Sequence, residues 1–199
     1  MRQAGIKKKQ GGIVESLKEA ILSGSIPCKT EMTQNELAES LGVSRMPVRE
    51  ALIILEYQGL IERLPNNHIR VVQFTDEFFE EIFDLCADLE GKALDAGGVP
   101  CFQAASSLFL SSDPEELLLH YRIGEGLSNS FLRKVFNTIL EIYVDYAVKL
   151  DIYDKEQGIK RLKEALNAPD EQRKTALKEY FSVLNHVIIN DRRRNGCWN

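Results

Sequence analysis

The chain has 199 residues, 44% of them hydrophobic and 28% charged, with a formal net charge of −5. That is the composition of a soluble globular protein with room for one large domain or two small ones. No apolar run approaches the ~20 residues of a membrane span and the N-terminus has no signal-peptide core, so the expected location is cytoplasmic. Cys28, Cys86, Cys101 and Cys197 are scattered without CxxC or zinc spacing and read as reduced thiols rather than a disulfide scaffold.

The charge is uneven. Residues 1–76 hold 10 Lys/Arg and 9 Asp/Glu, and residues 77–199 hold 15 and 21. Any binding to nucleic acid therefore belongs to the N-terminal part, where the local field is not acidic.

Residues 13–23, IVESLKEAILS, place Ile13, Leu17, Ala20 and Ile21 on one helical face, and Gly24 follows as a stop. The basic run Lys7–Lys9 is expected to precede this helix as a mobile tail. In TQNELAESLG, Thr33 and Glu36 have the spacing of a capping box, and Gly42 suits the left-handed residue that ends a helix. Ser44 can then cap a third helix, with Pro47 in its first turn, where a missing N–H costs nothing. Two short helices joined by a tight glycine-containing turn are a helix-turn-helix signal. From Leu60 the period changes: LIERL and IRVVQF are β-prone runs around Pro65-Asn66-Asn67-His68, a two-stranded hairpin. After Thr75 the whole chain reads as helix, with segments at about 75–96, 101–110, 114–127, 130–151, 155–168 and 170–190. The fold expected is mostly α: a winged helix-turn-helix over 1–74 and an all-α bundle over 75–199.

On a helix beginning at Ser44, Val48, Ala51, Leu52 and Leu55 share one face. Arg45 and Arg49 fall about 90° from its centre, stacked one turn apart. Both lie at the end carrying the positive pole of the helix dipole. Such a helix can lay its first turns in a major groove, where guanidinium forks meet guanine O6/N7 or phosphates. The alternative is that both arginines are solvated surface charges, paired to Glu50 or Glu56.

NELAESLGVSRMPVREALIILEYQGLIER closely resembles the DNA-binding domain of the GntR family of bacterial transcription regulators. The resemblance covers about residues 10–74, with the pattern LA-x-x-LGVSR-x-PVREAL in register. It implies a winged helix-turn-helix and a homodimer on a short pseudo-palindromic operator, as in a repressor. Arg45 and Arg49 match the family's groove-reading arginines. Thr33, Ser44, Met46, Asn67 and His68 are further DNA-contact candidates. At the wing tip, Asn67 and His68 stand where many members have arginine and glycine.

The second half resembles the FadR C-terminal type of effector domain (FCD) on slimmer grounds: Asp88–Glu90, and EELLLHYRIGEGLSNSFL with His120 and Asn129 in the family spacing. It does not resemble the β-rich HutC-like effector fold, and it is too short for the aminotransferase-like MocR domain. Many FCD members hold a divalent metal through one Asp and three His. Here those positions fall on Glu116, His120, Ile159 and Phe181, and the effector-contacting arginine falls on Cys86. The resemblance thus implies an effector pocket around Glu116, His120, Cys86, Asn129, Ile159 and Phe181. No metal or other cofactor is expected, because only Glu116 and His120 remain as donors. His186 lies five residues past Phe181, rotated about 140°, and is a poor substitute.

Enzymatic motifs (P-loop, GxSxG, HExxH, CxxC) are missing from the sequence, and no catalytic residues are expected. The rival readings are a helical-domain enzyme built on Glu116 and His120, or a dimerisation adaptor with a vestigial DNA-binding module. The sequence identifies neither effector nor operator.

Overall fold

The computed structural model describes residues 2–96 and 114–196, with side chains from residue 12 onward. The helix expected over 101–110 lies outside the described residues. The chain divides into two compact units, one formed by residues up to Phe74 together with the end of the chain from Arg192, the other by Thr75–Asp191.

The first unit runs α1 (Arg2–Leu22), β1 (Glu31–Met32), α2 (Gln34–Ser40), α3 (Arg45–Tyr57), β2 (Ile61–Arg63) and β3 (Ile69–Val71). Helix α1 begins well before Ile13, so the Lys7–Lys9 run is helical backbone and not a tail outside the helix. Thr33 and Glu36 form both halves of the capping box, the Thr33 N–H donating to Glu36 Oε2 at 2.6 Å and the Glu36 N–H to Thr33 Oγ1 at 3.2 Å. These bonds hold the Glu36 carboxyl below the ordinary range, the backbone N–H of Thr33 contributing most.

Helix α2 closes on Gly42 at φ 62°, with the Gly42 N–H bonded to Glu39 O and the Val43 N–H to Ala38 O. Only glycine takes that backbone at no steric cost, and the paired bonds satisfy carbonyls the helix end would strand. The same arrangement ends α3 at Gly59. Val48, Ala51, Leu52 and Leu55 are buried as the spacing predicts, and α3 packs on α1 and α2.

The sheet has three strands, order β1-β3-β2, all pairs antiparallel. The hairpin expected from sequence is therefore joined by a third strand. Glu31-Met32 is too short to show an alternating pattern, and only pairing with Arg70 and Ile69 makes it a strand.

The second unit comprises α4 (Asp76–Asp95), α5 (Glu115–Gly124), α6 (Ser130–Ile139), a π-helical turn (Leu140–Val144), α7 (Asp145–Lys149), α8 (Lys155–Leu166) and α9 (Asp170–Arg194), whose residues from Arg192 onward count with the first unit. Thr75 caps α4 through Oγ1, and Asp154 caps α8. The helix expected over 130–151 is one run interrupted by the π-turn, a widened turn that no residue type announces. Phe79, Phe83, Phe136, Leu140, Ile142 and Phe181 fill the core.

Candidate functional site

The N-terminal site is the outer face of α3. Arg45 and Arg49 are exposed, and among the described residues neither has an ion-pair partner. The acidic residues near the wing are committed elsewhere. Glu56 takes Arg63 at 3.2 Å, and Glu62 takes Arg70 at 2.7 Å with Glu31 behind it at 3.8 Å. Two guanidinium groups therefore face solvent from one helix face, while the wing arginines are neutralised. Met46, 59% exposed, lies beside them with its apolar side chain outward. An exposed thioether at that position suits a thymine methyl as readily as a phosphate-flanking surface.

Gln34 holds the pair of helices in register, its Nε2 donating to the backbone carbonyl of Arg45 at 2.7 Å. Sequence reasoning missed it, because a polar residue at the first position of a helix looks like ordinary surface. Ser44 occupies the cap position of α3 yet makes no side-chain capping bond, which leaves its exposed hydroxyl for another acceptor or donor. Thr33 is engaged in the capping box, half-buried. At the wing tip Asn67 has φ 62°, the His68 N–H donates to Asn66 Oδ1 at 3.1 Å, and the His68 carbonyl accepts from Leu64 N–H. The turn uses the backbone of both residues, with Asn67 exposed and His68 half-buried.

In the helical unit, four hydrogen bonds join five buried titratable groups. His120 Nδ1 meets Glu90 Oε2 at 2.9 Å and its Nε2 meets the Tyr180 hydroxyl at 2.9 Å. Tyr180 donates to Glu116 Oε1 at 2.6 Å, and the Tyr153 hydroxyl donates to the same oxygen. These bonds tie α4, α5 and α9 together through buried polar groups. Burial pushes the Tyr180 phenol well up and Glu116 adds to it. Burial and the Glu116 bond push Tyr153 the same way. Phe181 lies against the His120 ring at 5.3 Å and stacks on Phe83 at 6.1 Å. Tyr153 reaches Glu116 only because residue 158 is glycine, since a Cβ there would stand 2.5 Å from Tyr153 Cζ.

Of the predicted pocket residues, the structure brings Glu116, His120 and Phe181 together. Cys86 is buried one turn before Glu90, and burial, with the Glu90 charge behind it, raises its thiol well above the usual range. Asn129 is exposed and caps α6 through bonds from the N–H groups of Phe131 and Leu132, so it is no part of the cluster. Ile159 is half-buried on α8 beside Gly158. Glu90, Tyr153 and Tyr180 are the members that sequence reading missed.

The donor chemistry does not fit the metal that the sequence resemblance implies. Both His120 nitrogens are already bonded, two phenols occupy one Glu116 oxygen, and an isopropyl-type and a phenyl side chain stand for the other two ligands. Among the described residues no group of three His, Cys, Asp or Glu could hold a metal ion. A separate cleft of about 410 Å³ opens between α8 and α9, lined by Arg161, Glu164, Glu179 and Tyr180 among others.

Residues 9–71 match the family model "Bacterial regulatory proteins, gntR family". That segment is thus similar to the gntR-family module, and it folds as a winged helix-turn-helix. Among curated relatives, the uncharacterized HTH-type transcriptional regulator YdhC of Bacillus subtilis is 33% identical over 79 residues, 40% of this chain and 35% of that one. The gluconate operon transcriptional repressor of the same organism is 24% identical over 169 residues, 75% of this chain and 69% of that one. The chain spans 35% to 40% of the length of the first curated relatives it matches. A solved structure of Lar, which controls expression of the Listeria monocytogenes agr system, covers 91% of this chain and 96% of its own at TM-score 0.58 and 15% identity. That likeness supports the fold, a winged helix-turn-helix followed by a helical domain. Among the described residues, no helix is long and apolar enough to cross a membrane.

Proposed function

We propose that the protein is a DNA-binding transcription regulator that acts as a homodimer on a pseudo-palindromic operator, with a helical domain of the FCD kind taking a small-molecule effector. The observation that carries the DNA-binding reading is the pair Arg45 and Arg49: exposed, one turn apart on the outer face of α3, and unpaired where the neighbouring wing arginines are neutralised. An arginine left without a carboxylate beside so many acidic residues is available to phosphate or guanine. A dimer presents two such helices, and the half-site spacing must match their separation. An effector alters affinity only through its differential binding to the two arrangements of the dimer. With the His120 region filled by the protein's own side chains, the effector of this reading enters the α8–α9 cleft, lined by Arg161, Glu164 and Glu179 among others.

The test is selection of duplexes from a randomised library by the full chain. The reading requires an enriched inverted repeat whose recovery is lost in Arg49→Ala. Enrichment of no motif, or of the same motif by the variant, contradicts it.

A further inference from the structure

The first unit is not completed by the N-terminal segment alone. Arg192, from the last turn of α9, is 1% exposed inside it. Its Nη1 donates to the carbonyls of Ile21 at 3.1 Å and Leu22 at 2.6 Å, and its Nη2 to Cys28 Sγ at 3.2 Å. The guanidinium lies 5.2 Å from the centre of the Phe74 ring. Asn195 follows one turn on, donating to Ser23 O at 3.2 Å.

Ile21 and Leu22 close α1, where the last carbonyls have no partner within the helix and gather the negative end of its dipole. The Ile21 carbonyl also accepts from the Gly24 N–H at 3.1 Å. A buried cation placed there bonds both oxygens and opposes that dipole, the task usually left to a lysine or arginine of the same helix. Helix α1 has no basic residue in its last turn, and the guanidinium arrives from some 170 residues away. The sulfur it touches is also bonded by the Phe74 N–H at 3.4 Å, so Arg192 ties together three pieces of backbone: the end of α1, the Cys28 loop and the segment leaving β3. Helix α1 is the element against which α3 packs its buried face.

We propose that Arg192 is a positioning residue for operator binding: it fixes α1, and through α1 the recognition helix, without touching DNA. The proposal rests on the DNA-binding reading above. The experiment uses the full chain and a labelled duplex of about 30 base pairs, long enough for two half-sites, enriched by that chain from the randomised library. Arg192→Met keeps the stem and removes the donors. Arg192→Lys keeps the charge but not the fork. The expected affinities fall in the order parent, Lys, Met, with the Met variant about tenfold weaker and its far-ultraviolet circular dichroism unchanged at the assay temperature. The slope of log affinity against log salt should equal the parent's, because a buried side chain releases no counterion. Should the Met variant fail to fold, the Lys variant decides, at about threefold weaker. Parent-like affinity in the folded variants overturns the proposal. So does a salt slope reduced by about one, which would make Arg192 a direct phosphate contact. A parent that enriches and binds no duplex instead removes the DNA-binding reading itself.

Discussion

Gly158→Ala is the substitution that most sharply probes the buried cluster. In the middle of an exposed helix it would stabilise by about 1 kcal/mol through lower backbone entropy. At residue 158 the new methyl would stand 2.5 Å from Tyr153 Cζ and 3.0 Å from Glu116 Oε1, and closer still to the Tyr153 hydroxyl. No real Cβ tolerates that, so the Tyr153 ring must swing away. The overpacking costs about 1–3 kcal/mol. Losing the phenol leaves a buried carboxylate one donor short, about 1–3 kcal/mol more. Offsetting the helix gain, the net loss is about 1–5 kcal/mol. Urea unfolding followed by circular dichroism, with intrinsic tyrosine fluorescence as second probe, measures it. Tyr153→Leu should cost less and should partly absorb the second mutation, so that the double variant is more stable than the sum of the two losses. A Gly158→Ala variant within about 0.5 kcal/mol of the parent would refute the packing of Tyr153 over Gly158.

Other consequences follow from the same geometry. Tyr143, Tyr153 and Tyr180 all have phenols raised in the folded state, burial being the first cause in each. A raised acid holds its proton when folded and sheds it when unfolded near pH 10, so its contribution is complete below about pH 10 and lost above it. Denaturant midpoints should therefore fall steeply between about pH 10 and 11.5, and a flat profile there would contradict the burial of these rings. Elemental analysis of protein purified without chelator should find zinc, nickel and manganese far below one ion per chain. A near-stoichiometric metal lost in His120→Ala would show that the hydrogen bonds of His120 yield to coordination. Asn67→Val should destabilise by about 1 kcal/mol or more, since a β-branched side chain resists φ 62°. Equal stability would place the wing tip in another turn.

Much of the first unit was legible because its signals are local. Thr33 with Glu36, Gly42 and the 3.6-residue spacing of Val48, Ala51, Leu52 and Leu55 each act within one helix or one turn, and each does in the structure what its spacing predicts. Strand β1 was not legible, because two residues carry no period and its pairing partners lie about 38 positions on. The buried cluster was half visible. The resemblance named Glu116, His120 and Phe181, which the structure brings together around Tyr180. That Tyr180, the neighbour of one of them, supplies the bond to His120 depends on helix rotation finer than pattern matching. Asn129 shows the opposite failure: its spacing suggested a pocket, and the nearest unsatisfied N–H groups, those of Phe131 and Leu132, claimed its side chain. Arg192 lay in a run of three arginines at the end of a helix, which in sequence is a solvated tail. Nothing local distinguishes the one that is buried.

The central claim is that Arg45 and Arg49 hold their guanidinium groups out to operator DNA. Its most direct test is the affinity of the full chain for its selected duplex as a function of salt, for the parent and for Arg49→Ala. The parent's affinity should fall steeply with salt, and the variant should lose about 1–3 kcal/mol at every salt concentration, with unfolding midpoints unchanged. An Arg49→Ala variant that binds the duplex as tightly as the parent at matched salt would contradict it.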